Sequence, residues 1–105
     1  MLPTTDENIR LAKDFCLKKW KERFHERFPS LAKDRPDLEP NDLTDSCKFT
    51  SLFALKVFGG VLRGNYHHFY VINNGKIIDL NIDAGDVKRL GNKAHRNDSK
   101  FLNRK

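Results

Sequence analysis

Apolar residues recur at steps of three and four through Ile9, Ala12, Cys16, Trp20, Phe24 and Phe28, while Lys13, Lys18, Lys19, Lys21, Glu22 and Glu26 fill the opposite side. That spacing predicts an amphipathic helix over 6–29. Thr5 or Asp6 caps it, Asp6 and Glu7 suit its positive end, and Pro29 closes it. Cys16 falls within the apolar stripe and reads as a buried, inert thiol. From 30 to 45 the periodicity is lost among Pro36, Pro40 and several acids, which predicts a loop. Asp45 or Ser46 then caps a second helix from Cys47 to Phe58. Its Phe49, Leu52, Phe53, Ala54, Leu55, Val57 and Phe58 leave little polar face, the pattern of a central, buried helix. Gly59-Gly60 stops it, because glycine accepts the left-handed conformation at a helix end.

After Gly60 the period becomes that of strands. Val61–Arg63 reads as a short strand and Gly64-Asn65 as a turn. Tyr66–Ile72 and Lys76–Ile82 are strands rich in aromatic and β-branched residues, joined by the hairpin signal Asn73-Asn74-Gly75. Beyond Asp86 the pattern fades. The expectation is one α+β domain over 1–87, two helices on a small antiparallel sheet, followed by a basic C-terminal tail over 88–105.

Composition narrows the class. A chain of 105 residues with 38% apolar content and eight Phe can bury one compact core. No run of about 18 apolar residues is present, so no membrane span is expected. The N-terminus lacks the zones of a signal peptide, which makes a cytoplasmic setting the simplest expectation. Both cysteines would be free in that setting; a Cys16–Cys47 disulfide is the alternative for an exported protein. The net charge is +6, and residues 88–105 hold seven Lys/Arg against Asp98 alone, so the remainder is balanced. Such a tail can meet phosphate non-specifically, giving weak contact with nucleic acid, or be a solvated segment. Nothing in the sequence fixes the oligomeric state.

The chemistry-bearing residues stand at element edges. Cys47 opens a helix, His67 and His68 lie in a strand-like segment, and Asp79 closes the next one. The thiolate is the reactive form, and a free thiol with pKa about 8.5 is mostly protonated at neutral pH. A helix N-terminus favours the anion, an imidazole can take the proton, and a carboxylate on the far ring nitrogen fixes the tautomer. Adjacent strand residues point to opposite faces, so one histidine alone can share a face with Asp79. A two-residue Asn74-Gly75 loop places Tyr70 opposite Asp79 and selects His68. A three-residue loop places Phe69 opposite Asp79 and selects His67. Local chemistry does not choose between them. His25 and His95 read as surface residues. No Cys-x-x-Cys or His-x-x-x-His spacing marks a metal site, and no glycine-rich phosphate loop is present, so neither metal nor cofactor is expected.

The stretch Asp45-Ser-Cys-Lys-Phe-Thr-Ser-Leu-Phe-Ala-Leu-Lys-Val-Phe-Gly-Gly-Val-Leu-Arg-Gly64, followed by His67-His-Phe-Tyr-Val-Ile-Asn-Asn-Gly-Lys-Ile-Ile-Asp79-Leu80, resembles the papain-like/transglutaminase-like cysteine peptidase superfamily. Within it, the likeness is closest to the small bacterial YunG-like proteins. It covers roughly residues 9–81 and implies a minimal papain-like domain with a Cys-bearing helix on a small sheet. By position, the resemblance implies Cys47 as nucleophile, His67 as base and Asp79 as the orienting acid, and with His67 the three-residue loop. His68 is the alternative base. A Gly-Gln pair precedes the family's Cys, and here Asp45-Ser46 stands there. The oxyanion donor beside the Cys47 N–H would then come from Asn41, Thr44 or Ser46.

The function implied is a cysteine-dependent hydrolase or acyltransferase of peptidase or amidase type, acting on a peptide or amide without a cofactor. Two alternatives stand beside it. One is a catalytically inactive papain-like fold that binds or inhibits a protein partner. The other is a nucleic-acid-associated protein working through residues 88–105.

Overall fold

The computed structural model describes residues 1–98. Helix α1 runs Asp6–Arg27 and α2 Pro29–Asp34, followed by a 3-10 turn at Pro36–Leu38. Helix α3 spans Cys47–Phe58. Strands β1 (Val61–Gly64), β2 (Phe69–Asn73) and β3 (Lys76–Ile78) follow, then α4 (Gly85–Leu90) and a second 3-10 turn at Gly91–His95. The molecule is an α+β globule with helices packed on a three-stranded antiparallel sheet of order β1-β2-β3. Among the described residues no helix is long and apolar enough to cross a membrane.

Thr5 caps α1, its hydroxyl accepting from the Asn8 N–H at 3.1 Å. The helix stops at Arg27 because Phe28 precedes a proline and takes φ −132°, ψ 60°. Pro29 then starts α2 at a position where a missing N–H costs nothing. Part of the loop expected over 30–45 is therefore helical. The α3 bounds match the sequence pattern, and Gly59 closes the helix at φ 78°.

The core joins Ala12 and Cys16 of α1, Leu43, Ala54 and Phe58 of α3's side, and Val71, Ile78 and Leu80 of the sheet. Cys16 is fully buried, and loss of hydration pushes its pKa up to about 12, which keeps it a neutral core thiol. Cys16 and Cys47 are both free.

The β2–β3 register pairs Val71 with Ile78, Ile72 with Ile77 and Asn73 with Lys76, which leaves a two-residue turn. Asn74 at φ 50° and Gly75 at φ 81° are both left-handed, as a primed hairpin turn requires. The three-residue loop implied by the family spacing is thus corrected: Asn74-Gly75 closes the hairpin without a bulge. One register step further, Tyr70 stands opposite Asp79.

Part of the basic segment from residue 88 is folded. Val87 and Ala94 are buried with Ala84, with Leu90 packed against them. The Asp98 N–H donates to the Gly64 carbonyl at 2.7 Å. The turn at 91–95 packs against β1 and β2. Residues 99–105, the rest of the expected tail, lie outside the described residues.

Candidate active site

Cys47 is the first residue of α3 and is half-buried. Among the described residues no side chain caps this helix: Ser46 directs its hydroxyl back to the Leu43 carbonyl at 2.6 Å. The first-turn N–H groups of α3 and their partial positive charge are left to face whatever lies at Cys47. Asp45, just ahead, sits at φ 67°, and its N–H donates to Asp86 Oδ2 at 3.0 Å, which ties the approach to the helix to α4.

His68 immediately precedes β2 and is fully buried. Its Nε2 lies 2.8 Å from Asp79 Oδ2. Its Nδ1 is buried and makes no hydrogen bond of regular geometry. The Cys47 side chain is within hydrogen-bonding reach of the ring. Loss of hydration opposes a charge on His68, but hydrogen bonds to Asp79 and Cys47 and the charges of both outweigh it. The ring pKa is pushed up to about 9. Asp79 is held below the usual carboxylate range: burial works the other way, and His68, His95 and the Asn81 N–H prevail over it.

His67 is exposed, and its backbone N–H donates to Asn65 Oδ1 at 2.8 Å. Of the two histidines, His68, the alternative, and not His67 is the imidazole that meets both Asp79 and Cys47. The physical reason is the two-residue turn, which sets Tyr70 and not Phe69 across from Asp79.

Asn65 shapes the loop that presents His68. Its Oδ1 also accepts the His68 N–H at 3.2 Å, while its Nδ2 donates to the Lys93 and Arg96 carbonyls at 3.1 and 2.7 Å. Gly64 is needed beside it, because a Cβ there would sit 2.5 Å from the His68 carbonyl oxygen, at φ 159°.

Asn81 joins the strand end to the Cys-bearing helix. Its N–H donates to Asp79 Oδ1 at 2.9 Å. Its Nδ2 donates to the Leu43 carbonyl at 2.8 Å and Ser46 Oγ at 3.3 Å, and its Oδ1 accepts from Thr50 Oγ1 at 2.5 Å. Sequence reasoning did not single out Asn65 or Asn81. Their signal is indirect: each is an asparagine beside a turn, where side-chain-to-backbone bonding is common.

The three side chains expected to supply an oxyanion donor are placed elsewhere. Ser46 is buried and engaged with Leu43 and Asn81. Thr44 Oγ1 accepts the Gly85 N–H at 3.1 Å. Asn41 is exposed and lines a groove with Lys13, Leu17 and Asp83. The donors available at Cys47 are the backbone N–H groups of the α3 first turn.

His95 reads from sequence as a surface residue, yet its Nε2 lies 2.7 Å from Asp79 Oδ2, the oxygen His68 also meets. Two imidazoles and a carboxylate thus converge, their donor atoms all within 4.8 Å of one another. No sequence spacing could show this, since His68, Asp79 and His95 come from three separate elements. A groove of about 430 Å³ between α1 and the start of α3 is lined by Trp20, Arg23, Asp45, Ser46, Lys48 and Phe49, without Cys47. Trp20 stacks on Phe49 as part of its wall, with ring centroids 6.3 Å apart.

Comparison of the chain with family models, with curated proteins and with solved structures finds no match.

Proposed function

We propose that the protein is a cysteine-dependent hydrolase or acyltransferase of papain-like type, with Cys47 as nucleophile, His68 as base and Asp79 as the group that orients the ring. One observation carries this reading: a buried imidazole has one nitrogen on a buried carboxylate and lies within reach of a thiol at a helix N-terminus. Relays of that order activate a weak nucleophile. In the reaction, Cys47 Sγ bonds as the thiolate to the carbonyl carbon of an amide or ester, with His68, whose pKa is raised to about 9, as the imidazolium beside it. The α3 first-turn N–H groups receive the developing oxyanion. The proton then goes from Nδ1 to the leaving amine or alcohol, leaving a thioester. Water, or an acceptor amine, attacks that thioester and gives its proton to His68, and the acyl group departs as Sγ is released. A reducing cytoplasmic setting would keep the thiol free.

The rival reading is an inactive fold of the same shape that binds a protein partner. What favours it is Ser46, whose hydroxyl donates to the Leu43 carbonyl and so does not serve as an oxyanion donor.

Alkylation of Cys47 by iodoacetamide at neutral pH, followed by mass spectrometry, separates the two. The expected result is fast modification in the wild type and in His67→Ala, with a loss of about tenfold or more in His68→Ala. If all three proteins react alike, at the rate of a free thiol, the catalytic reading fails and the binding module replaces it.

A further inference from the structure

The convergence at Asp79 has the makings of a metal site. His68 Nε2, Asp79 Oδ2 and His95 Nε2 form a two-imidazole, one-carboxylate set, which suits zinc and its first-row neighbours and not calcium or magnesium. The outer supports of such a site are also present. Asp79 Oδ1 is held by the Asn81 N–H at 2.9 Å, which turns Oδ2 toward the histidines. His95 is steadied by Tyr70, whose O–H donates to the His95 carbonyl at 2.7 Å and whose ring meets the imidazole at 5.0 Å between centroids.

The space needed is small. Tetrahedral zinc with ligands at about 2.0–2.1 Å sets its donor atoms roughly 3.3 Å apart. The two N···O distances are 2.8 and 2.7 Å and the whole donor set lies within 4.8 Å, so each imidazole has to withdraw from the carboxylate by about half an ångström while the two nitrogens close on each other. His68 and Asp79 have side chains 0% and 2% exposed, whereas His95 is 24% exposed on a single 3-10 turn. The His95 side is the more exposed edge of the set.

We propose that Zn2+ binds at His68, Asp79 and His95, replacing the two imidazole–carboxylate hydrogen bonds. Each ring gives its Nε2 lone pair to the cation, and the proton that stood there moves to Nδ1 or to solvent. With the cation on Nε2, His68 can no longer gain a second proton. Its metal-bound state and its proton-shuttling state exclude each other, so zinc is an off-switch for the thiol chemistry proposed above. Binding itself does not depend on that chemistry.

The test is titration of the chelator-treated full chain with Co2+ and with Zn2+, followed by visible absorption and calorimetry, on wild type, His95→Ala, Asp79→Asn and Cys47→Ala. One Co2+ per chain is expected, with the intense visible bands of a tetrahedral ion and without a thiolate charge-transfer band, displaced by Zn2+. Cys47→Ala should bind as the wild type does, which keeps the result independent of any thiol activity. His95→Ala, whose changed side chain lies at the partly exposed edge, should bind at least about tenfold more weakly. The proposal is overturned if the wild type binds no Co2+, if His95→Ala binds as tightly as the wild type, or if a thiolate band shows Cys47 to be a ligand.

Discussion

His95 lies sixteen residues beyond Asp79 in the chain and gives it its shortest hydrogen bond, Nε2 to Oδ2 at 2.7 Å. His68 reaches the same oxygen from the other direction at 2.8 Å. One carboxylate oxygen thus fastens the turn at 91–95 to the loop ahead of β2, and the remaining oxygen takes the Asn81 N–H. Asp79 is the point through which three segments are registered on one another.

Its removal should therefore be felt globally. Asp79→Asn keeps the volume but takes away a buried charge that two imidazoles face. The expected loss is about 3 kcal/mol of stability, measured by urea unfolding. For a domain of this size that is a fall in Tm of more than ~10 °C. His95→Ala, at the exposed edge, should cost about 1 kcal/mol. Equal losses in the two variants would show that the His68–Asp79 pair adds nothing of its own.

The raised pKa of His68 sets a pH window. Its folded value, about 9, stands above the ordinary 6.5, so folding favours the protonated ring. That contribution is complete below the unfolded value and disappears as pH rises from there through about 9. The difference corresponds to about 3 kcal/mol. Asp79, depressed, works in the opposite sense: its contribution is present above its ordinary 3.8 and is lost as pH falls below that. The stability of wild type relative to His68→Gln should be flat between roughly pH 5 and 6.5 and decline toward pH 9 and beyond. Urea midpoints measured across that range check it, and a difference that does not change with pH would contradict the raised value.

Much of this could be read from the chain, and the parts that could not have specific causes. The α3 bounds were legible because an apolar run meets Gly59-Gly60, a strong stop. The hairpin was legible because Asn74-Gly75 satisfies two left-handed positions at once. The choice between His67 and His68 was not, because it turns on one residue of loop length, to which local propensities are indifferent; the family spacing pointed to His67, which is exposed. His95 was hidden by composition. Its neighbours Lys88, Arg89, Lys93 and Arg96 dominate the segment, while the small Ala94 that packs it down carries little apolar signal. The Pro29 start of α2 was missed because the same proline that ends one helix is well suited to begin the next.

Asn65 offers a test of how the two halves of the site are joined. Its side chain binds the N–H groups of His67 and His68 and the carbonyls of Lys93 and Arg96. Asn65→Ala should cost about 2 kcal/mol, since groups it satisfies must turn to water. Hydrogen exchange should speed up in residues 65–68 and 93–98 together, with α1 unaffected. Faster exchange in one segment alone would mean that Asn65 is not the link between them.

Asn81 governs the distance between the carboxylate and the thiol. It is fully buried, and its amide holds the Leu43 carbonyl, Ser46 and Thr50 around the start of α3 while its own N–H fixes Asp79. Asn81→Ala keeps the backbone bond and loses the side-chain ones, so the α3 N-terminus loosens while Asp79 stays oriented. The expected cost is about 3 kcal/mol, the range for breaking a buried polar network. The more telling readout is the His68 ring, followed by NMR in chelator-treated protein. Cys47 contributes a hydrogen bond and a charge to the raised pKa of that ring, whereas Asp79 contributes its own pair. If α3 drifts, the Cys47 share is lost and the His68 pKa falls below about 9. Cys47→Ser, which leaves the α3 backbone alone, should produce a fall in the same direction. A His68 pKa unmoved in both variants would show that the thiol and the imidazole do not interact.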